Sequence, residues 1–168
     1  WAGFTPLHSA VEHNLRGIAE VLFLHHADPN LACPSVAGSV FMGKAPLHTA
    51  AVQGNLDLIR LLLDHGASIF PTTGIDSPLA WAVKGGHPRA VELLLARGAQ
   101  ASLNNPRDGM TALHWAALLG QVESATVLLD HGASNNVLSH AGTPLHMAVV
   151  GREGAEQFLA RILNPGST

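Results

Sequence analysis

The chain has 168 residues and a net charge of −3, with 47% apolar residues, 12% charged ones and nine lysines and arginines. So few basic residues exclude the positive surface of a nucleic-acid-binding domain, and a single cysteine excludes a disulfide framework and a thiolate metal cluster. No apolar run approaches the roughly 18 residues of a membrane-spanning helix, and a start at Trp1 without a signal peptide indicates a fragment of a longer or processed protein.

Five segments of the chain open with the same four-residue phrase. It reads Thr-Pro-Leu-His at 5–8 and 143–146, Ala-Pro-Leu-His at 45–48, Ser-Pro-Leu-Ala at 77–80 and Thr-Ala-Leu-His at 111–114. The phrase predicts a short helix that Thr or Ser caps and proline begins. A second, leucine-rich phrase at 21–27, 61–67, 93–99 and 127–133 predicts another helix, which in three copies closes at Gly-Ala. Such short helices bury their apolar faces only by stacking in series.

These two phrases, at a period of about 33 residues, resemble the ankyrin repeat. The resemblance covers the chain as a single domain with repeats at 1–30, 41–70, 72–102, 106–136 and 138–168, and an insertion loop at 31–40. It implies an all-α repeat solenoid of stacked helix-turn-helix units with hairpin-like finger loops. It also implies a non-catalytic protein–protein interaction module of the cytoplasm or nucleus, with no cofactor.

Histidines stand at the fourth position of four opening phrases: His8, His48, His114 and His146. Equivalent positions in stacked helices lie roughly 8–10 Å apart, too far to share one metal ion, so no metal site is expected. The resemblance implies that these side chains fix the connecting turn by hydrogen bonds, which Ala80 interrupts in the third repeat. Protonation of all eleven histidines would move the net charge from −3 to +8, so binding or stability is expected to change around pH 6.

The two ends of the array differ. The last repeat has Glu153, Glu156 and Ala160 where an alignment on the preceding repeat places Val122, Ala125 and Leu129, which predicts a polar end cap. Repeat one keeps its apolar residues, so either further sequence precedes it or that face meets a partner; these residues are Leu15, Ile18, Phe23 and Leu24. The recurring leucines are predicted to form the core: Leu7, Leu47, Leu79, Leu113 and Leu145. His26 replaces a helix-ending glycine and should strain or reshape its turn.

The resemblance also implies a concave groove, formed by the first helices and the finger tips, as the partner-binding surface. Its first-helix candidates are Glu12, His13, Val52, Gln53, Lys84, Leu118, Leu119 and Val150. Its finger candidates are Trp1, Phe4, Phe41, Met42, Lys44, Asp76, Arg107 and Met110, and between the two sets lie Trp81, Trp115 and Met147. The apolar side chains of repeats three to five predict an exposed patch that binds a peptide or helix with apolar anchors, although core packing is the simpler interpretation of Trp81 and Trp115.

Three alternatives stay open at this point. The chain could be a regulatory or scaffolding segment of a larger enzyme or receptor. Asn30, with Leu22 eight residues before it and Asp28 two before it, resembles the site that an asparaginyl hydroxylase modifies in ankyrin loops. The insertion, with Val40, Phe41 and Met42 at its end, either contacts a partner or packs on its own repeat.

Overall fold

A computed structural model describes residues 4–33, 43–70, 75–151 and 155–163. This part of the chain contains ten helices: α1 (Pro6–Glu12), α2 (Arg16–Leu24), α3 (Pro46–Gln53), α4 (Leu56–Asp64), α5 (Pro78–Lys84), α6 (Pro88–Ala96), α7 (Ala112–Leu118), α8 (Val122–Asp130), α9 (Pro144–Gly151) and α10 (Ala155–Leu163). Each odd-numbered helix packs on the even-numbered helix that follows it, and each helix also packs on its counterpart in the next pair. Two layers of stacked helices result, which confirms the predicted all-α solenoid.

The first helix of a pair begins where the sequence predicts it. Thr5 Oγ1 accepts a hydrogen bond from the backbone N–H of His8, and Pro6 occupies the first turn, where a missing N–H leaves no hydrogen bond unmade. Ser77 caps α5 in the same way, through the N–H of Ala80. The caps are local interactions between residues three apart, so the opening phrase is sufficient to define them.

Several helix-ending turns require the left-handed backbone conformation. Glycine supplies it in most repeats, as at Gly54 with a φ of 68°, but Asn14 and His26 adopt φ values of 57° and 60°. The strain predicted at His26 is confirmed, because a non-glycine residue in this region costs about 1 kcal/mol.

The core is a row of recurring leucines and alanines between the two layers. Leu7, Leu47, Leu79 and Leu113 are at most 1% exposed, as predicted. The prediction for Leu145 is wrong: this side chain is 36% exposed. The reason is that its equivalents are covered by the next repeat, and no described helix lies beyond α9 and α10.

The predicted end cap is correct only for the second helix of the last pair. Glu156 and Ala160 are exposed on α10, whereas Glu153 lies outside the described residues. The residue-by-residue alignment of the last two repeats is wrong, because α10 begins more residues after the glycine on which they are aligned than α8 does. Phe158, the fourth residue of α10, is therefore the equivalent of Ala125, the fourth residue of α8, and both side chains are buried. On α9, Val149 is 66% exposed, so this helix presents an apolar rather than a polar outer face.

The opposite end of the array also leaves an apolar face uncovered. Ile18 on α2 is 50% exposed, whereas its equivalent on α4, Leu58, is fully buried. Leu15 and Leu24 are exposed as well, while Phe23 is buried and stacks on the His65 ring with 4.1 Å between centroids. The apolar positions that the sequence shows in repeat one therefore form an open stacking surface.

Candidate functional site

Two of the recurring histidines, His8 and His114, connect one repeat to the next. The N–H of Thr111 donates to Nδ1 of His114, so the proton of the neutral ring lies on Nε2, which donates to the carbonyl oxygen of Gly142 at 3.1 Å. His8 repeats the arrangement, with Nε2 3.0 Å from the carbonyl oxygen of Lys44. The predicted turn-fixing role is confirmed, since Nδ1 of His48 and of His146 also accepts from a backbone N–H three residues before it. His8 and His114 in addition hold the finger of the following repeat.

Burial makes these rings poor bases. It lowers the pKa values of His8 and His114, although the hydrogen bonds to backbone carbonyls oppose the shift. His48 is 2% exposed, and burial lowers its pKa to about 4. Its Nε2 atom is buried and has no hydrogen-bond partner among the described residues. His8, His48 and His114 are therefore neutral structural groups at pH 7.

Two tryptophans from adjacent repeats and two lysines form a cluster on the first-helix side of the array. The ammonium group of Lys84 lies 3.7 Å from the centre of the Trp115 ring and 4.8 Å from that of Trp81. The ammonium group of Lys44, from the finger before α3, lies 4.0 Å from the centre of the Trp81 ring. Both rings are half-buried, so part of each packs on the core and part reaches the surface.

Asp76 contacts this cluster of Trp81, Trp115, Lys44 and Lys84, which we call the Trp–Lys cluster. One carboxylate oxygen pairs with the Lys84 ammonium, and the other accepts a hydrogen bond of 2.9 Å from the side-chain amide of Asn105. Asp76 is only 8% exposed, so it holds the cluster together rather than facing a partner. Each of the two tryptophans, the two lysines and Asp76 is predicted from the sequence as a separate groove candidate, but their association and the role of Asn105 are not predicted.

The predicted exposed apolar patch needs correction. Met110 and Met147 are 9% and 6% exposed, because both pack into the core and therefore offer a partner little surface. Leu118 is partly buried against the core. Leu119 and Val150, at 44% and 65%, are the most exposed of the apolar groove candidates within the described residues.

The other candidates occupy varied environments. Gln53 donates from Nε2 to the Glu12 carbonyl oxygen at 2.8 Å and so ties α3 to α1, while Val52 is half-buried. His13 and Arg107 are exposed, and the half-buried Phe4 ring lies 5.5 Å from that of His8. Trp1, Phe41 and Met42 lie outside the described residues, as does most of the insertion. Partner contacts at all of these positions stay predictions.

The Asn30 side chain joins two successive loops. Its amide donates to the Gly66 carbonyl oxygen at 2.9 Å, and its carbonyl oxygen accepts from the Ser68 N–H at 2.7 Å. Hydroxylation of Asn30 stays a prediction that intact-mass measurement after treatment with the hydroxylase tests.

Replacing Asn30 with alanine should lower the free energy of unfolding by about 1 kcal/mol, because two inter-repeat hydrogen bonds are lost at an exposed position. Urea denaturation followed by circular dichroism measures the change. The matched control is Asn136→Ala, since the Asn136 side chain makes no hydrogen bond within the described part of the chain. Equal effects at the two positions would contradict the inter-repeat role of Asn30.

The described residues show neither a cluster of metal-ligating side chains nor a membrane-spanning helix. No three or more of their His, Cys, Asp and Glu side chains come together as metal ligands would. None of the helices within the described ranges is long and apolar enough to traverse a bilayer.

Comparison with known proteins matches three family models to the chain. The model described as "Ankyrin repeats (3 copies)" matches residues 79–166, "Ankyrin repeats (many copies)" matches 47–95, and "Ankyrin repeat" matches 2–33.

Similar curated proteins are much longer than this chain. The E3 ubiquitin-protein ligase KEG of Arabidopsis thaliana is 30% identical over 98% of this chain and 10% of its own length. The human transient receptor potential cation channel subfamily A member 1 is 30% identical over 98% of this chain and 15% of its own length. A putative ankyrin repeat protein of Fowlpox virus is 36% identical over 62% of this chain and 32% of its own length. The chain thus spans about a tenth to a third of the length of these relatives.

Proposed function

The chain belongs to the ankyrin-repeat family, whose repeats form a protein–protein interaction module, and from this premise we propose that its first-helix groove binds a peptide or helix of a partner protein. The family is generally non-catalytic, and the proposed role is likewise one of binding alone. The groove is the surface formed by α1, α3, α5, α7 and α9 with the fingers that precede them.

The observation that carries the proposal is the exposure of apolar side chains at the C-terminal end of this groove. Leu119 and Val150 are 44% and 65% exposed. They belong to neighbouring helices that approach closely, since a Cβ atom placed on Gly151 would lie 2.2 Å from the Leu118 carbonyl oxygen. The half-buried Trp115 adds part of an aromatic ring on α7. Contiguous exposed apolar surface of this kind favours a partner with apolar anchors.

Replacing Leu119 and Val150 together with serine should weaken partner binding about tenfold or more, because apolar anchors would lose their contacts. Thermal stability should change little, because both side chains are exposed. Leu118 is left intact, since it packs partly on the core and its loss would also affect folding. Isothermal titration with a peptide selected on the parent chain from a displayed library of random short peptides measures affinity.

The matched control is Leu24→Ser, which removes a leucine that is 77% exposed on α2, at the other end of the array. This variant should bind as the parent does. Unchanged binding by the Leu119 and Val150 double variant would overturn the assignment of the groove.

The lengths of the relatives favour a second reading, compatible with the first. A module that makes up only 10% or 15% of a ligase or a channel is one part of a larger assembly. A regulatory or scaffolding segment of a larger protein would use the same groove. Affinity capture with the full-length protein, compared between the parent and the Leu119 and Val150 double variant, tests whether groove binding operates in that setting.

A further inference from the structure

The two ends of the described array carry complementary surfaces, and we infer from them that copies of this chain bind each other end to end. The N-terminal face consists of Ile18 and Val21 on α2. The C-terminal face consists of Leu145, His146 and Val149 on α9. In this contact, the N-terminal face of one copy stacks on the C-terminal face of a second copy. The interaction goes beyond groove binding, because it joins the ends of the array.

The N-terminal face is a surface that the preceding repeat covers in every inner repeat. Ile18, the third residue of α2, is 50% exposed, whereas the third residues of α4, α6 and α8 are at most 1% exposed: Leu58, Ala90 and Ser124. Val21, the sixth residue of α2, is 53% exposed, whereas the sixth residues of these later helices are half-buried. Each later helix packs on the second helix of the preceding pair, a neighbour that α2 lacks among the described residues.

The C-terminal face is the corresponding surface of the last described pair. Leu145 and Val149 are 36% and 66% exposed, whereas their equivalents on α7, Leu113 and Ala117, are fully buried. The difference arises because α9 packs on α7, while no described first helix packs on the far side of α9. Leu145 and Val149 are four residues apart, so they share one face of α9. That face is therefore apolar and open.

His146 adds an available hydrogen-bond donor to this face. Its Nδ1 atom accepts from the N–H of Thr143 at 3.2 Å, so the proton of the neutral ring lies on Nε2. That Nε2 atom has no acceptor within the described part of the chain, whereas Nε2 of His114 donates to the Gly142 carbonyl oxygen in the following finger. The C-terminal face thus retains both the apolar and the directional part of a contact between repeats.

A second copy of this chain is the occupant that these two faces specify. At every inner boundary, a first-helix surface of one repeat and a second-helix surface of the next are buried together, as Leu113 and Leu58 illustrate. A second copy brings the matching N-terminal face, and it also brings the finger before α1 toward His146. Four of the five side chains in the two faces are apolar, so removing them from water favours the contact.

The contact joins two unlike faces, so it differs from the contact in a symmetric dimer. Each copy in such a pair keeps one face open, and a further copy can add there. Inner repeats stack in one direction along the array, so copies that stack in the same way extend the array rather than close a ring. Self-association should therefore increase steadily with concentration.

Sedimentation velocity over a series of concentrations tests the inference. We expect the sedimentation coefficient of the parent chain to rise with concentration. Ile18→Glu and Val149→Glu each place a charge on one face, where burial on association would be unfavourable, and each variant alone should stay monomeric. An equal mixture of the two should form a complex with one copy of each and nothing larger, because each variant supplies the face that the other lacks.

Phe70→Glu is the matched control, since it changes an apolar side chain that is 47% exposed in the loop after α4, away from both faces. This variant should associate as the parent does. Circular dichroism checks that all three variants keep the helices of the parent, as expected from the exposure of the substituted positions.

Three results would overturn the inference. A parent chain that stays monomeric at every concentration would show that the faces do not bind each other. Association of either face variant by itself, or failure of the mixture to form the mixed complex, would show that the contact does not join unlike faces. Loss of association in Phe70→Glu would place the contact on another surface.

Discussion

Replacing Gly85 with alanine should lower the free energy of unfolding by about 2–3 kcal/mol. A Cβ atom at this position would lie 2.2 Å from the Val52 carbonyl oxygen, and the atom it meets belongs to the backbone and cannot turn aside. Since Gly85 has a φ of −76°, the expected loss comes from steric overlap between α3 and α5 rather than from an unusual backbone conformation. Urea denaturation followed by circular dichroism measures it.

Gly17→Ala is the matched control for this prediction. Gly17 lies within α2, and a Cβ atom added there meets no atom within 4 Å. Alanine favours the helix by up to about 1 kcal/mol, so this variant should be more stable than the parent. If Gly85→Ala is no less stable than Gly17→Ala, the second and third repeats do not approach as closely as described.

Acidification from pH 7 to pH 4 should destabilise the array by about 3 kcal/mol through His48 alone. In the unfolded chain histidine has a pKa of about 6.5, whereas burial lowers that of folded His48 to about 4. Between these values the unfolded chain binds more protons, so the free energy of unfolding decreases as the pH falls and is fully retained above about 6.5. His8 and His114, whose pKa values burial also lowers, contribute in the same direction.

Urea denaturation at a series of pH values measures this dependence. His48→Gln should flatten the slope between about pH 6.5 and 4, because the group that is protonated only in the unfolded chain is gone. His25→Gln, at an exposed position, controls for the removal of a histidine as such. A parent chain whose stability is constant across this range would contradict the prediction. The change that the sequence predicts around pH 6 is thereby assigned, for stability, to particular buried rings.

Local features of this fold can be predicted from the sequence, because the interacting residues are close along the chain. Thr5 and His8 are three residues apart, so the cap, the turn and the start of the helix follow from the opening phrase alone. Burial is harder to predict, because it depends on which neighbour covers a side chain. Leu145 has the same local sequence as Leu7 and is exposed nonetheless, since no described repeat covers it.

The Trp–Lys cluster shows the same limit at the candidate site. Lys44 comes from one finger and Trp81 from a helix in the next repeat, so their contact depends on how these two repeats stack on each other. The only local signal is the spacing of three residues between Trp81 and Lys84, which places both on one face of α5. Met110 and Met147 illustrate the converse error, because their positions in the repeat predict surface exposure although both side chains complete the core.

The position of the Trp–Lys cluster within the array affects how it responds to fraying. The first and last helix pairs each pack on one neighbouring pair, whereas inner pairs pack on two. Local unfolding in a linear array of this kind starts most easily at its ends, where the fewest interactions are lost. Trp81 and Lys84 belong to the third of five helix pairs, with Lys44 and Trp115 in the pairs on either side. Opening of the first or last of these five pairs therefore leaves the Trp–Lys cluster folded, whereas Val150, in the last pair, would lose its support.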